Sequence, residues 1–360
     1  MQRLRSRKMQ GFWFFFILVV ASVSFGAGLP RIEWDAGTEH LLVPQGVYAR
    51  MTRLRDGALL ACSQSKKSVI VLRSDDEAKS WSAPITVTTY AHGVAANPDL
   101  CALADGSVLL FWNERPVPDN GSHKFTICVT RSTDGGRTWE PRGEPIFTGG
   151  NVFANACWEP SAVQMPDGEV RMFFAHELPG QQEILMMTSL DAGQTWSSSK
   201  QVSLRPKRRD GMPVPCLLKD GRLVFSIEDN GIAGQDRPHP PFRPTIVNPE
   251  AKDRWMALAT APDDKCNVAA PYLTRLPSGE TLLAVQSNED ERRWHRMAVY
   301  VGDEHARGFT HRTLPFGLPP ESNSEWNALC VLEADHVIAL TSAMIQGKRG
   351  VWMVRGTVKR

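Results

Sequence analysis

Two glutamates in apolar surroundings are the residues of this sequence best suited to acid–base and nucleophilic chemistry. Glu159 stands between Trp158 and Pro160, directly before an apolar segment, and the proline removes a backbone donor that would compete for the carboxylate. Glu228 follows the apolar segment 223–227. Two carboxyl groups at one site can act as general acid/base and nucleophile on a glycosidic bond. The sequence therefore predicts that Glu159 and Glu228 are catalytic, provided that the fold brings them together.

A structural role for both glutamates is the alternative interpretation. Arg50 and Arg209 belong to the same kind of strand-end position, and an ion pair with either would hold a carboxylate in place. Networks of this kind collect charge without doing chemistry. The positions of the two carboxyl groups and of these arginines decide between the interpretations.

The elements that must position the glutamates come from a repeat. An apolar strand, a turn and a second apolar strand recur six times at intervals of 49 to 62 residues, with turn positions Gly57, Gly106, Gly168, Gly221, Gly279 and Asp335. Asp-Gly between two apolar strands is a strong hairpin signal, because glycine adopts the positive φ that such turns need. Sheet units of this period are typical of propellers. The sequence predicts an all-β, six-bladed β-propeller of four-stranded antiparallel blades, with residues 31–47 as the outer strand of the last blade.

A second repeated pattern lies at 132–139 and 189–196, and a degenerate copy lies at 74–81. The first two share Ser, Asp, Gly, Thr and Trp at fixed positions. They resemble the Asp-box of the sialidase-like superfamily, which forms the turn between the third and fourth strands of a blade. An Asp in such a turn accepts hydrogen bonds from the turn's own backbone, and a Trp packs into the blade. A local structural role is therefore favoured over the alternative, ligand binding.

Longer segments carry a closer resemblance. Residues 96–116, 157–168, 209–229 and 270–286 look like the sialidase-like propellers, and most like the family 93 glycoside hydrolases, the exo-arabinanases. The resemblance covers nearly all of residues 45–357. It implies a retaining, exo-acting hydrolase of a neutral, arabinan-like glycan, with Glu159 as acid/base and Glu228 as nucleophile.

The propeller topology predicts where a substrate would bind. The starts of first strands and the ends of second strands meet on the face opposite the Asp-Gly turns, where the longest insert, 230–254, is also expected to form a binding loop. Aromatic rings there would stack on sugar rings, while amide, guanidinium and carboxylate groups bind hydroxyls. The predicted substrate-binding residues are Tyr48, Arg50, Asn97, Asp99, Trp158, His176, Arg209, Asp210, Tyr272, Gln286, Trp326 and Asn327.

Two other functions remain open at this stage. Sialidases use an arginine triad, a tyrosine nucleophile paired with a glutamate, and an aspartate acid/base. The segment 48–51 resembles the region of their first triad arginine and Asp99 lies near the acid/base position, but the segment 325–327 reads Glu-Trp-Asn where the tyrosine is expected. A propeller that binds glycans or proteins without catalysis is the third possibility. In that protein, loss of either glutamate would leave binding intact.

The N-terminus and the charge balance indicate the localisation of the protein and the partners it can bind. Residues 1–28 run from basic through apolar to small residues, which is typical of a secretory signal peptide, and leave 29–360 as a single propeller domain. The leader holds four of the 41 Lys and Arg residues and none of the 39 Asp and Glu residues, so the mature chain is close to neutral. A nucleic-acid partner is not expected without a basic excess. The sequence predicts a secreted or periplasmic monomer with no membrane span after leader cleavage.

Cysteine spacing gives no indication of a metal or cofactor. Five of the seven cysteines, Cys62, Cys101, Cys128, Cys216 and Cys330, lie in apolar strand segments, where a thiol behaves as a small buried apolar group. No Cys/His spacing typical of zinc and no nucleotide-binding motif is present. We expect structural thiols, no metal and no cofactor.

Overall fold

The structure, a computed structural model, describes residues 28–118, 121–231, 240–319, 321–333 and 335–360. Regular structure in these residues is almost entirely β-strand, with one 3-10 turn at Phe153–Asn155. The predicted leader, apart from Gly28, lies outside the described residues. In the described part of the chain, no helix is long and apolar enough to cross a membrane.

The strands are numbered along the chain. The first eight are β1 (Arg31–Pro44), β2 (Gly46–Arg53), β3 (Leu59–Ser65), β4 (Ser68–Ser74), β5 (Ile85–Thr89), β6 (Gly93–Ala102), β7 (Val108–Pro116) and β8 (Thr126–Ser132). The next eight are β9 (Phe147–Thr148), β10 (Cys157–Gln164), β11 (Val170–Leu178), β12 (Gln181–Ser189), β13 (Lys200–Leu204), β14 (Asp210–Leu217), β15 (Leu223–Asp229) and β16 (Arg243–Asn248). The last eight are β17 (Asp253–Met256), β18 (Val268–Arg275), β19 (Thr281–Glu291), β20 (Trp294–Gly302), β21 (Thr310–Thr313), β22 (Ser324–Glu333), β23 (His336–Ile345) and β24 (Lys348–Lys359).

Six four-stranded antiparallel sheets form the blades of a propeller, which confirms the predicted architecture. Blades 1 to 5 are built from consecutive strands, β2–β5, β6–β9, β10–β13, β14–β17 and β18–β21. Blade 6 consists of β22, β23, β24 and, as its outer strand, the N-terminal β1, which pairs with β24. The first and last strands of the chain thus close the ring together, as the sequence predicts.

Apolar side chains fill the spaces between neighbouring blades. The ring of Phe111 in blade 2 meets Trp196 of blade 3 edge to face at 5.7 Å, and Phe173 of blade 3 contacts Phe225 of blade 4 at 5.1 Å. All three phenylalanines are fully buried. The first strand of each blade contacts the first strands of both neighbours, so these six strands surround the central channel.

The three turns with the Ser-x-Asp pattern fold alike. Asp134 accepts hydrogen bonds from the N–H groups of Arg137 and Thr138 and from the Thr138 hydroxyl, and Ser132 Oγ accepts one from Gly136. The turns at 189–196 and 74–81 repeat the aspartate and serine bonds. In the third turn Ala78 takes the left-handed φ of 64° that glycine takes in the other two. All three turns connect the third and fourth strands of a blade.

The seven cysteines lie in the described residues, and all are buried and free of disulfides. The prediction of one long loop at 230–254 is wrong, since β16 and the start of β17 lie within it. The Pro-rich composition of the insert concealed the apolar strand at 243–248. Residues 232–239 of the insert lie outside the described residues.

Candidate active site

Each first strand carries a bulge at the same position. The pairing with the second strand shifts there in all six blades, and one residue in each bulge has a left-handed backbone. These residues are Tyr48 (φ 52°), Asn97 (49°), Glu159 (56°), Met212 (50°), Ala270 (46°) and Trp326 (50°). A left-handed backbone costs conformational energy in a residue other than glycine, and such residues are common at functional sites. A bulge also redirects the side chain that it carries.

The bulges direct side chains towards the axis of the propeller. Tyr48, Met212, Ala270 and Trp326 pack against one another, although they come from blades 1, 4, 5 and 6. Contacts between blades on opposite sides of the ring are possible only at its centre. Among these six bulge residues, Glu159 is the one with a carboxyl group.

Glu159 is held by the neighbouring blade. Its Oε2 accepts a hydrogen bond of 3.1 Å from the N–H of Met212, and the side chain keeps some solvent exposure. Burial and the nearby Glu228 together raise the pKa of Glu159 to about 8, while Arg115 and the Met212 N–H oppose the shift. At neutral pH the carboxyl group is therefore largely protonated.

Glu228 lies near the end of β15, where it pairs with Gly211 of the first strand in the same blade. Its Oε2 accepts a hydrogen bond of 3.1 Å from the N–H of Ala270 in blade 5. Burial and the nearby Glu177 carboxylate raise its pKa above the usual value, while the Ala270 N–H and the Arg209 guanidinium oppose the shift. These two groups stabilise the ionised form of Glu228.

The bulge N–H groups receive side chains from the preceding blade by a common rule. In blades 4, 5 and 6 the acceptor is the residue of the second strand that pairs just before the bulge, and the donor is the bulge N–H of the next blade. Glu228 accepts from Ala270, Gln286 from Trp326 at 3.3 Å, and Ser342 from Tyr48 at 3.0 Å. In blade 3 that position holds Ala175, which has no acceptor. The Met212 N–H therefore has no acceptor from that position and bonds to Glu159 instead. Glu159 thus contacts blade 4, the blade that carries Glu228.

Gly211 lies against Glu228, and the residue after it contacts Glu159. A Cβ at this position would lie 3.1 Å from Glu228 Oε1 and 2.7 Å from Gln182 Oε1, both closer than ordinary contact. The next residue, Met212, donates to Glu159. The backbone at 211–212 thus lies against both glutamates, and the close approach of Glu228 requires a residue without a side chain.

Two tyrosines and an arginine line the axis beside Glu159. The Arg50 guanidinium lies 4.1 Å from the Tyr48 ring and 5.1 Å from the Tyr272 ring, and it donates to the carbonyl groups of Ala49, Trp326 and Asn327. Burial raises the pKa of both tyrosines, so the phenols remain neutral. The Arg50 side chain is buried and is not engaged in an ion pair with Glu159 or Glu228 among the described contacts.

Asp99 lies deeper, among groups that stabilise its carboxylate. Burial raises its pKa, while Arg50, the Ser161 hydroxyl and the N–H groups of Leu100 and Ala162 lower it. The side chain lines a cavity of about 310 Å³ that it shares with Tyr272 and with residues from the first strands of all six blades.

Trp158 is fixed by its neighbours on the other side of Glu159. Its indole N–H donates to Glu177 Oε1 at 3.2 Å, and the Arg115 guanidinium lies 4.7 Å from its ring. Arg115 also donates to Asn97 Oδ1 at 3.1 Å. Arg115 and Glu177 are not among the predicted site residues, although each lies near the end of a second strand, as Glu228 does.

The remaining predicted residues have other partners. Arg209 forms a two-pronged ion pair with the buried Glu177 at 2.6 and 2.9 Å, and His176 Nδ1 lies 2.9 Å from Glu183. Asp210 is fully buried, and it pairs with Arg254 at 3.1 Å. Asn327 donates to the Val285 carbonyl. Contacts at the centre of the ring connect Tyr48 with Arg50, Arg50 with Tyr272, and Trp326 with both Tyr48 and Gln286, whereas His176 and Asp210 are engaged elsewhere.

Comparison with solved structures identifies the fold. The family GH93 α-L-arabinofuranosidase of Fusarium graminearum, solved with arabinobiose, matches with a TM-score of 0.70 and 18% identity, over 90% of this chain and 97% of that chain. The α-L-arabinanase of Penicillium chrysogenum matches at 0.67 and 18%, over 89% and 97%. The fold is that of the sialidase-like propellers, close to the family 93 glycoside hydrolases.

A more distant match is the sialidase of Trypanosoma rangeli, with a TM-score of 0.60 and 12% identity. The alignment covers 91% of this chain and 58% of the trypanosomal chain. No family model matches the sequence, and no curated protein does. At these identities the likeness concerns the fold, and the chemistry must be argued from the residues.

Proposed function

We propose that this protein is a secreted, exo-acting glycoside hydrolase that removes a neutral, arabinan-like sugar with Glu159 and Glu228. One observation carries the proposal. Two partly exposed carboxyl groups from adjacent blades lie against the same backbone, and Glu159 has a pKa of about 8, raised by burial and by Glu228. A protonated carboxyl group beside an ionised one is what hydrolysis of a glycosidic bond requires.

The two roles follow from the groups that surround each carboxyl. Glu159 is protonated at neutral pH and donates its proton to the oxygen of the leaving group as the bond breaks. Glu228, stabilised as an anion by the Ala270 N–H and by Arg209, attacks the anomeric carbon and forms a glycosyl ester. Glu159 then takes a proton from the water that hydrolyses the ester, and the sugar leaves with retained configuration.

The structural alternative for the glutamates receives little support. Arg209 is engaged by Glu177, and Arg50 donates to backbone carbonyl groups, so neither forms the ion pair that this alternative requires. The left-handed bulge that carries Glu159 recurs in all six blades, so it belongs to the fold and does not by itself distinguish the two interpretations.

The test is sugar release from a panel that contains linear α-1,5-arabinan, other plant and host glycans, and a sialoside. We expect release of a neutral sugar, with at least a roughly 10³-fold loss in Glu159→Gln and in Glu228→Gln, since removing a catalytic group has effects of this size. Glu144→Gln, at an exposed carboxylate of blade 2, is the control and should keep full activity. Release of sialic acid, or glycan binding without release that both variants keep, would contradict the proposal.

A further inference from the structure

Two contacts fix the guanidinium group of Arg115 at the edge of the proposed active site. The group lies 4.7 Å from the ring of Trp158, the residue before Glu159, and its Nη2 donates to Asn97 Oδ1 at 3.1 Å. Asn97 and Glu159 are the bulge residues of the neighbouring blades 2 and 3. Arg115 therefore holds its charge where these two blades meet the centre of the ring.

The guanidinium of Arg115 has no carboxylate bonded to it. In the part of the chain that the structure describes, Arg115 forms no ion pair, and its buried Nε has no hydrogen-bond partner. Burial lowers the pKa of Arg115, and the groups that oppose this shift are Glu159 and, to a smaller extent, Tyr48. A half-buried cation is costly unless a negative charge lies near it. Glu159 is the acid on which the charge of Arg115 acts.

The other ionisable groups around Glu159 act in the opposite direction, act more weakly or are engaged elsewhere. Glu228 of blade 4 favours the protonated form of Glu159. Arg50 of blade 1 favours the ionised form, but less than Arg115 does, and its charge also acts on Asp99. The remaining neighbours are neutral phenols or are paired with each other: Tyr48 and Tyr272, and Glu177 with Arg209.

The charge of Arg115 matters most in the second half of the proposed reaction. While Glu228 is an anion, it favours the protonated form of Glu159, which the first step needs. Once Glu228 has formed the glycosyl ester, its charge is gone, and Arg115 is the stronger of the two cations that still act on Glu159.

The step that follows consumes one water molecule. The water oxygen attacks the anomeric carbon, the Glu159 carboxylate takes the proton from that water, and the bond from the anomeric carbon to Glu228 breaks and returns the Glu228 carboxylate. Glu159 must be ionised to act in this way.

We propose that Arg115 is a positioning residue that favours the ionised form of Glu159 and so prepares it to act as the base once Glu228 is esterified. Its part in that step rests on the proposed function; its effect on Glu159 does not. The alternative is that Arg115 only supports the Trp158 ring through the cation–π contact. In that case the charge of Arg115 would stabilise the fold and would not affect the titration of Glu159.

NMR titration of isotope-labelled glutamate carboxyl carbons tests this effect without any turnover, and Glu159→Gln identifies the signal of Glu159. The background is Glu228→Gln, which is neutral at this position as the ester is. There Arg115→Gln should raise the pKa of Glu159 by about 1 pH unit, since it removes a nearby opposite charge. Arg115→Lys, which keeps the charge, should leave the pKa close to its starting value.

Arg137→Gln is the matched control. It removes the same charge from the turn at 132–139 of the same blade, where the arginine side chain is 57% exposed, and should leave the pKa of Glu159 unchanged. If Arg115→Gln does not fold, Arg115→Met provides the comparison, because it keeps an apolar stem against the Trp158 ring. Urea denaturation shows which variants are folded.

Kinetics with an aryl glycoside tests the part that Arg115 plays in the second step. A good leaving group makes hydrolysis of the ester rate-limiting, so Arg115→Gln should lower kcat by about 3- to 10-fold at about pH 6. The KM should fall with it and kcat/KM should be kept, because the first step does not need the ionised form of Glu159. An unchanged kcat would overturn this role.

The outcomes separate this proposal from the catalytic one. A pKa of Glu159 that does not respond to Arg115→Gln, or that rises equally in Arg115→Lys, would overturn the proposal even if sugar release is found. A response to the charge of Arg115 with no sugar release from any substrate would support the effect on Glu159 and contradict the hydrolase.

Discussion

At the residue scale, Glu159 couples the chemistry to pH. Burial and the neighbouring Glu228 raise its pKa to about 8, so the proton donor is present below this pH and lost above it. We expect kcat/KM to fall as the pH rises through about 8, and also to fall at low pH as Glu228 is protonated, above the usual glutamate range. Because the groups interact, the two limbs belong to the pair. A pH–rate profile that stays flat to pH 9 would argue against Glu159 as the acid.

The same shift makes Glu159 a cost to stability. A carboxyl whose pKa is raised on folding binds its proton more tightly in the folded state, so stability falls as the pH rises from about 4.5 to about 8. Glu159→Gln removes the buried charge and keeps an acceptor for the Met212 N–H. We expect this variant to be more stable than the parent by about 1–3 kcal/mol at pH 9, and close to it at pH 4. Urea denaturation at the two pH values measures the difference; equal effects at both would contradict it.

At the scale of the strand, the bulges are marked by a repeated pattern in the sequence. Each bulge residue stands nine positions before the turn position of its blade, and in blades 2 to 5 the next residue is proline: Pro98, Pro160, Pro213 and Pro271. The repeated X-Pro at fixed spacing marks where the first strand breaks. This spacing identifies Glu159 as a bulge residue from its position in the repeat alone.

Gly211→Ala tests the close packing against Glu228. The new methyl group would meet Glu228 Oε1 and Gln182 Oε1, so the glutamate must move. We expect kcat to fall by about 10-fold or more, since displacements of the order of 1 Å cost this much, while the fold is retained.

Gly221→Ala in the same blade is the matched control. There a methyl group meets nothing within 4 Å, but φ is 86°, so the cost is strain in the turn. Loss of about 1 kcal/mol of stability with unchanged kcat is expected. If Gly211→Ala also affected only stability, the placement of Glu228 would not depend on that contact.

The Ser-x-Asp turns belong to the same scale. Hydrogen bonds from the Thr138 hydroxyl and the turn backbone hold the pKa of Asp134 at about 2. Asp134→Ala should destabilise the fold by about 1 kcal/mol, as loss of a capping side chain does, and leave sugar release unchanged. Asp134→Asn, which keeps an acceptor, should lose less. Reduced glycan affinity in Asp134→Ala at normal stability would revive a ligand-binding role for the turn.

For the whole molecule, the blades could be predicted because each is encoded locally, by two apolar strands around a turn. Ring closure followed from the apolar segments at the two ends of the chain. The partners of individual charges could not be predicted in this way. Arg209, which precedes blade 4, pairs with Glu177 of blade 3, and Asp210 pairs with Arg254 across the first and fourth strands of blade 4, so neither pair follows from the sequence of a single hairpin.

The most direct test of the paired-carboxylate account is the first turnover of an aryl glycoside of the released sugar. A good aryl leaving group needs no proton, so Glu159→Gln should release one equivalent of the aryl alcohol rapidly and then slow down. Glu228→Gln should release none, because the attacking group is missing. A burst in Glu228→Gln, or loss of the first turnover in Glu159→Gln with Glu228→Gln active, would contradict the assigned roles.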